Sequence, residues 1–354
     1  MEIYKKIIIL ILIILFFYIG YRLLKRINCC KKPNIEGLDN LNSTNEDIEL
    51  NKLKNEENVT INSIHKNDTN LRLSQYVIKA SYNTALTGNY VNTNMIKYVL
   101  SRGCRFLDFE IFLIDGKPQV AYTTDSKYKS ILTKNNILLD DVLSTIVSNA
   151  FSNTSPNRAD PLFIHMRIKS SDSSNDDIYK SIAKSLSIIK DSLYNKPINN
   201  RTRLSDIMGK IVIIIDSTIN YDYKKYINCN NNEKNCYNLK DYTQLESGKN
   251  LMSIERYSTI LSRQQNPPRI INDIMSDLEY STIALPDFDV KQTSNPQLNI
   301  LISDYGIQII TYRYYKKDAK LKDAEDIFNE NKYGIIPIAN MLKYFEKKKE
   351  VASN

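Results

Sequence analysis

The chain has 354 residues, 42% of them hydrophobic and 25% charged, which is enough for one large domain or two ordinary ones and excludes a chain disordered throughout. It contains no Gly-x-x-x-x-Gly-Lys-Ser/Thr run and no Gly-x-Gly-x-x-Gly run, so the backbone cradles that nucleotide phosphates need have no candidate. The formal net charge of +8 divides into +6 over residues 1–32, −5 over residues 33–70 and about +7 over the rest, a spread too thin for a nucleic-acid binder and better suited to a membrane surface.

From Ile7 to Tyr21 the sequence is uncharged and apolar. With Lys5, Lys6 and Arg22 snorkelling, the stretch from Ile3 to Leu24 reaches the roughly 20 residues that a hydrocarbon core requires. No small-x-small cleavage pattern follows, so residues 1–27 are expected to be an uncleaved single transmembrane helix. Arg22, Lys25, Arg26, Lys31 and Lys32 outnumber Lys5 and Lys6, which favours a cytosolic C-terminal side of a single-pass protein. Only 9 glycines, no tryptophan and 24 tyrosines read as the imprint of an AT-rich genome, and a viral membrane is among those that fit. Cys29 and Cys30 at the membrane edge suit palmitoylation in that orientation, or are idle thiols. Cys229 and Cys236 could pair only in an oxidising compartment, which speaks against it. Residues 28–70 read as a polar linker, a solvated tether in which His65 is a bystander.

From Leu71 onward, short β-rich apolar runs alternate with helical patterns. Strands are expected over 76–80, 105–113, 162–168, 211–216, 251–254, 281–285, 307–311 and 333–336, and helices near 91–102, 138–151, 176–193, 256–265, 270–278 and 319–330. Eight strands separated by helices is the arithmetic of a TIM-type (β/α)8 barrel, an α/β fold. It would span 71–346, with a first part 71–219, a polar insert 220–248, a second part 249–346 and a basic tail 347–354. Cys104 reads as a core thiol. Alternation places Asp108 with Glu110, and His165 with Arg167 and Lys169, on faces opposite Leu107, Phe109, Ile164 and Met166.

Three blocks in order, Ser81-Tyr82-Asn83-Thr84-Ala85-Leu86, Gly103-Cys104-Arg105-Phe106-Leu107-Asp108-Phe109-Glu110 and Asp115-Gly116-Lys117-Pro118, resemble the X region of phosphoinositide-specific phospholipase C. Ser294-Asn295-Pro296, Tyr305-Gly306-Ile307-Gln308 and Tyr333-Gly334-Ile335-Ile336-Pro337 look like the end of the family's Y region. The resemblance implies a phosphodiesterase barrel in which two histidines exchange protons with the inositol 2-hydroxyl and the leaving oxygen. It also implies a calcium ion held by carboxylates and an asparagine, and lysines that grip substrate phosphate.

This sequence departs from that pattern at each role. The histidine positions are Tyr82 and Tyr122, and a phenol with a reference pKa of about 10 is a poor base near pH 7. Asn83, Asp108 and Glu110 remain as candidate metal ligands, but the third carboxylate position falls on Arg167, and the lysine positions fall near Ile214 and Asp216. His165 and Lys169 are candidates for substrate binding. Asp108, Glu110 and Arg167 are expected to form an ion-pair cluster where the family holds calcium. The reading is a membrane-anchored barrel without hydrolytic activity that binds a lipid headgroup, phosphoinositides among them, or acts as a scaffold, with no cofactor. One alternative is an active phosphoric diester hydrolase with a non-standard site, His165 or a water replacing the bases, in which case calcium is expected. Another is a structural membrane protein, for instance of a virion.

Overall fold

The computed structural model describes residues 44–54, 58–125, 130–169, 176–219, 223–226, 237–263, 278–288 and 294–353. The expected anchor at 1–27, the first part of the linker, Cys29, Cys30, Cys229, Cys236 and nearly all of the helix expected near 270–278 lie outside them. Among the described residues no helix is long and apolar enough to cross a membrane. The chain divides into two units, Met1–Thr44 and Asn45–Asn354, and the second contains every strand found among the described residues.

The stretch before Leu71 is not the solvated tether expected over its whole length. It contains a helix, α1 (Asn45–Leu53), and Leu50, Leu53, Ile61 and Ile64 are buried in the main core. The acids of α1 grip neighbouring loops. Glu46 accepts from Asn135 Nδ2 at 3.1 Å, Asp47 from Asn92 Nδ2 at 2.9 Å, and Glu49 from the Thr87 hydroxyl at 2.9 Å and the Asn89 N–H at 3.0 Å. Farther along, the N–H of Asn62 donates to the Lys332 carbonyl at 2.8 Å, and His65 Nδ1 accepts from the Asn67 N–H at 3.3 Å. The segment is a strap whose apolar residues enter the core singly, so no helical or strand period announces it.

After the strap come β1 (Tyr76–Ser81), α2 (Thr93–Ser101), β2 (Phe106–Ile114), β3 (Lys117–Ala121), β4 (Ile137–Leu138), α3 (Leu139–Ala150), β5 (Leu162–Lys169), α4 (Asp176–Leu186) and β6 (Ile211–Asp216). The second part holds α5 (Leu239–Tyr242), β7 (Leu245–Ser247), β8 (Met252–Arg256), α6 (Tyr257–Leu261), β9 (Ser281–Leu285), α7 (Leu298–Ser303), β10 (Ile309–Tyr312), α8 (Ala319–Asn331), β11 (Ile335–Pro337) and α9 (Ile338–Ser353). The parallel order β7-β6-β5-β2-β1-β10-β9-β8 makes a nearly closed barrel, whose two end strands are joined by a turn in which the Gly248 N–H donates to the Met252 carbonyl at 2.7 Å. Such a sheet has both faces covered, which is why its strands read as Val/Ile-rich runs.

Two expectations are corrected. The strand expected at 333–336 is β11, which pairs antiparallel with the first half of β1 and is not a barrel member. The eighth member is β7, a three-residue strand at the end of the stretch assigned to the polar insert, too short to register as a period. The basic tail is the last part of α9, whose Met341, Leu342 and Phe345 are buried. β2 and β3 form a hairpin through Asp115 and Gly116, at φ 51° and 72°; both central residues are left-handed, the condition a type I′ turn imposes. Gly334 tolerates no side chain, since a Cβ there would lie 2.4 Å from the Gly103 carbonyl oxygen.

Asp160, fully buried beside Arg105, accepts from the Ile64 N–H of the strap at 2.9 Å. Burial raises its carboxyl to about 6, against the pull of Arg105. The folded protein therefore binds the extra proton between about pH 4 and pH 6, so stability falls as pH rises through that window and stays lower above it. Asp160→Asn keeps the acceptor and should raise stability at neutral pH by ~2–3 kcal/mol, with no gain below about pH 4. Thermal melting against pH measures this, and a variant that melts lower than the parent at neutral pH would contradict it.

Candidate functional site

The site lies inside the barrel, toward the C-terminal ends of the parallel strands, where barrel folds place their chemistry. Beyond the end of β1 the chain turns through Tyr82 and Asn83, the latter at φ 43°, a left-handed conformation that asparagine adopts more readily than most residues. This aims the Asn83 N–H at Asp108 Oδ2, 3.0 Å away. Asp108 and Glu110 alternate along β2, and His165, Arg167 and Lys169 along β5, in the register Asp108↔His165, Glu110↔Arg167.

The Arg167 guanidinium sits among the three side chains identified as candidate metal ligands. Nε donates to Asp108 Oδ1 at 2.8 Å, and Nη2 to Asp108 Oδ2 at 2.6 Å and to Asn83 Oδ1 at 3.1 Å. Nη1 donates to Glu110 Oε1 at 2.7 Å, while Glu110 Oε2 accepts from the Thr123 N–H at 2.9 Å. Asp108, Glu110 and Arg167 all have no solvent exposure. Burial alone would push the Asp108 carboxyl up, but Arg167 and the hydrogen bond from His165 outweigh it and hold that carboxyl well below the usual range. The guanidinium also stacks on the Tyr82 ring, 4.6 Å from its centroid.

One layer deeper, His165 is engaged at both nitrogens, with Nδ1 2.8 Å from Asp108 Oδ1 and Nε2 2.8 Å from Ser247 Oγ. All three residues are fully buried. Ser247 was not singled out by the sequence, because β7 carries no period of its own. Tyr82 and Tyr122 meet edge to face with ring centroids 6.5 Å apart. Burial pushes both phenols up from their usual value, and at Tyr122 the neighbouring Tyr82 and Glu110 add to it.

Nearer the mouth, Lys169 is 3% exposed and its Nζ lies 5.5 Å from the centre of the Phe288 ring. Arg256, at the end of β8, lies 3.8 Å from the same ring. Neither Arg256 nor Phe288 was named from sequence, although a basic residue closing a barrel strand is a usable signal. Of the positions matched to phosphate-gripping lysines, Ile214 is buried and Asp216 Oδ1 accepts from the Thr218 N–H and hydroxyl at 2.9 and 2.6 Å. Among the described residues, no group of three or more His, Cys, Asp or Glu is placed to hold a metal ion.

Residues 69–216 match the family model described as phosphatidylinositol-specific phospholipase C, X domain. Over these residues the chain resembles a phospholipase C X domain. Its barrel is similar to the crystal structure of L. pealei PLC21, with a TM-score of 0.57 and 15% identity over 76% of this chain and 37% of that one. S. officinalis PLC21 gives a TM-score of 0.57 and 16% identity over the same shares. This chain thus spans well under half of those two. A calcium-dependent phosphoinositol-specific phospholipase C from Pseudomonas sp. has a TM-score of 0.45 and 11% identity over 77% of this chain and 98% of that one. No curated protein matches the sequence. The matched residues include β1, β2, β5 and β6, and with them every cluster residue except Ser247, Arg256 and Phe288.

Proposed function

We propose that this chain is a membrane-anchored phospholipase C-like protein, built on a distorted (β/α)8 barrel, that has lost hydrolytic activity and binds a lipid headgroup or acts as a scaffold on the cytosolic side of its membrane. The observation that carries this reading is the buried Tyr82–Tyr122 pair at the two proton-transfer positions. Phenols pushed above their usual value do not exchange protons near neutrality, and the loss of one general acid or base typically costs about 10² to 10⁴ in rate.

The metal position supports the same conclusion. Asp108, Glu110 and Asn83 do not fit a calcium ion, because each directs a side-chain oxygen at Arg167, and a hard cation needs six to eight oxygens, roughly, in place of a guanidinium. His165 offers no substitute base that substrate could reach, being sealed beneath Arg167 with both nitrogens engaged.

Full-length protein in detergent micelles should show no hydrolysis of phosphatidylinositol, with or without calcium, or turn over several orders of magnitude more slowly than an active member of the family. The double substitution Tyr82→His with Tyr122→His should not restore full rate, since the metal and phosphate positions stay altered. Calcium-stimulated turnover that His165→Ala abolishes would establish the hydrolase alternative. The purely structural alternative predicts no headgroup binding.

A further inference from the structure

At the opposite end of the barrel from the Arg167 cluster, three buried side chains meet under the strap. Arg105 directly precedes β2, Asn157 and Asp160 lie in the loop before β5, and none of the three has any solvent exposure. Most of their polar atoms are engaged. Arg105 Nη1 donates to the Ala150 carbonyl at 2.9 Å and Nη2 to Ser155 Oγ at 2.7 Å. Asn157 Nδ2 donates to the Gly103 carbonyl at 3.1 Å, and Asp160 Oδ1 accepts from the Ile64 N–H of the strap at 2.9 Å. Three atoms have no hydrogen-bond partner among the described residues: Arg105 Nε, Asn157 Oδ1 and Asp160 Oδ2. Arg105 and Asn157 both draw on the Asp160 carboxylate, but its Oδ2 touches neither. Buried polar atoms are costly without a partner, and three on neighbouring side chains point to a shared one.

We propose that one water molecule is bound between Arg105 Nε, Asn157 Oδ1 and Asp160 Oδ2, as a structural ligand of the joint between strap and barrel. The valences match. Water accepts one hydrogen bond from the Nε–H and donates one to each oxygen, and buried waters typically make about three bonds to groups otherwise unsatisfied. Charge excludes other small ligands. A cation would sit against Arg105, which burial lowers only to about 10 against the pull of Asp160, so that it is charged at neutral pH. An anion would sit against the Asp160 carboxylate. The Asn157 amide cannot reverse to take the place of water, because the Gly103 carbonyl requires its NH2 end. Gly334 closes over that end, where a Cβ would lie 2.6 Å from Asn157 Nδ2. The water is one bond away from the strap, since the carboxylate that it holds at Oδ2 takes the Ile64 N–H at Oδ1. Beside it, Ser63 Oγ accepts from the Ala159 N–H at 3.1 Å. Exchange of this water with bulk solvent therefore requires the strap to lift.

Oxygen-17 relaxation dispersion of water around the full-length protein in detergent micelles counts such long-lived buried molecules. Asp160→Glu adds one methylene, roughly 1.5 Å of reach toward Arg105, and should displace the water by a direct ion pair. Asn157→Leu removes one of its acceptors and sets an apolar group beside it. Each variant should hold one long-lived water fewer than the parent. Independently of the variants, a crystal structure of the parent should show an ordered water within about 3.2 Å of all three atoms. Equal counts in the parent and both variants would overturn the proposal, as would a crystal structure in which Arg105 Nε bonds directly to Asp160 Oδ2.

Discussion

Arg167→Ala should lower the free energy of unfolding by about 3–5 kcal/mol, read from urea or thermal denaturation. The cost arises less from the lost ion pairs than from what remains. Asp108 and Glu110 have no solvent exposure, and without the guanidinium two adjacent carboxylates would face each other in a desolvated interior. In the folded parent Asp108 is held well below the usual carboxylate range, burial notwithstanding, so its contribution is present at neutral pH and disappears as pH falls from about 4 through its lowered value. The variant should lose that acid dependence, or reverse it as a buried carboxyl takes up a proton near neutrality. Arg167→Glu places a third carboxylate beside Asp108, Glu110 and Asn83, and its stability should rise with added calcium while that of the parent does not. A parent protein that calcium stabilises as strongly as the Arg167→Glu variant would refute the account of this position.

Removing residues 44–70 should abolish cooperative folding of the barrel. The strap contributes Leu50, Leu53, Ile61 and Ile64 to the main core, and emptying one such site commonly costs ~2–5 kcal/mol, so four together approach or exceed the ~5–15 kcal/mol by which a domain is stable. A fragment of residues 45–353 should melt in a single sharp transition. One beginning at Leu71 should aggregate or show the weak near-ultraviolet dichroism of a loosely packed chain. Equal melting temperatures for the two fragments would mean that the strap is only draped over the barrel.

These two regions mark where the sequence was informative and where it was not. Ile211–Asp216 opens with five consecutive apolar β-branched residues and Leu162–Lys169 alternates Ile164, Met166 and Ile168 with polar residues after an apolar start, both patterns of a strand, so their positions are readable within a residue or two. Parity along β2 and β5 also put Asp108, Glu110, His165 and Arg167 on shared faces, which is a local property of a strand. The strap, β7 and Ser247 were not readable, because their structure is imposed by distant partners. Leu50 and Ile64 are lone apolar residues among Asn, Glu and Lys, and β7 is three residues long. Arg256 and Phe288 meet only through the folding of β8 against the loop after β9, and no spacing in the chain encodes that meeting.

The placement of β1 has a consequence for biosynthesis. Its residues Ile78–Ser81 pair with β10, Tyr76–Ile78 pair with β11, and only Ala80 and Ser81 pair with β2, the neighbour closest in sequence. The strap before it is likewise bonded to Asn329 and Lys332, more than 250 residues downstream. While the ribosome is still making the first two thirds of the chain, the opening strand therefore has one short ladder and an open edge, a state prone to pairing with other chains. Loop closure across such a separation must precede the contacts that reward it. The barrel is expected to close after its last strands have emerged, and nascent chains arrested before Ile309 to be sensitive to proteolysis within β1 even though residues 69–216 have been completed.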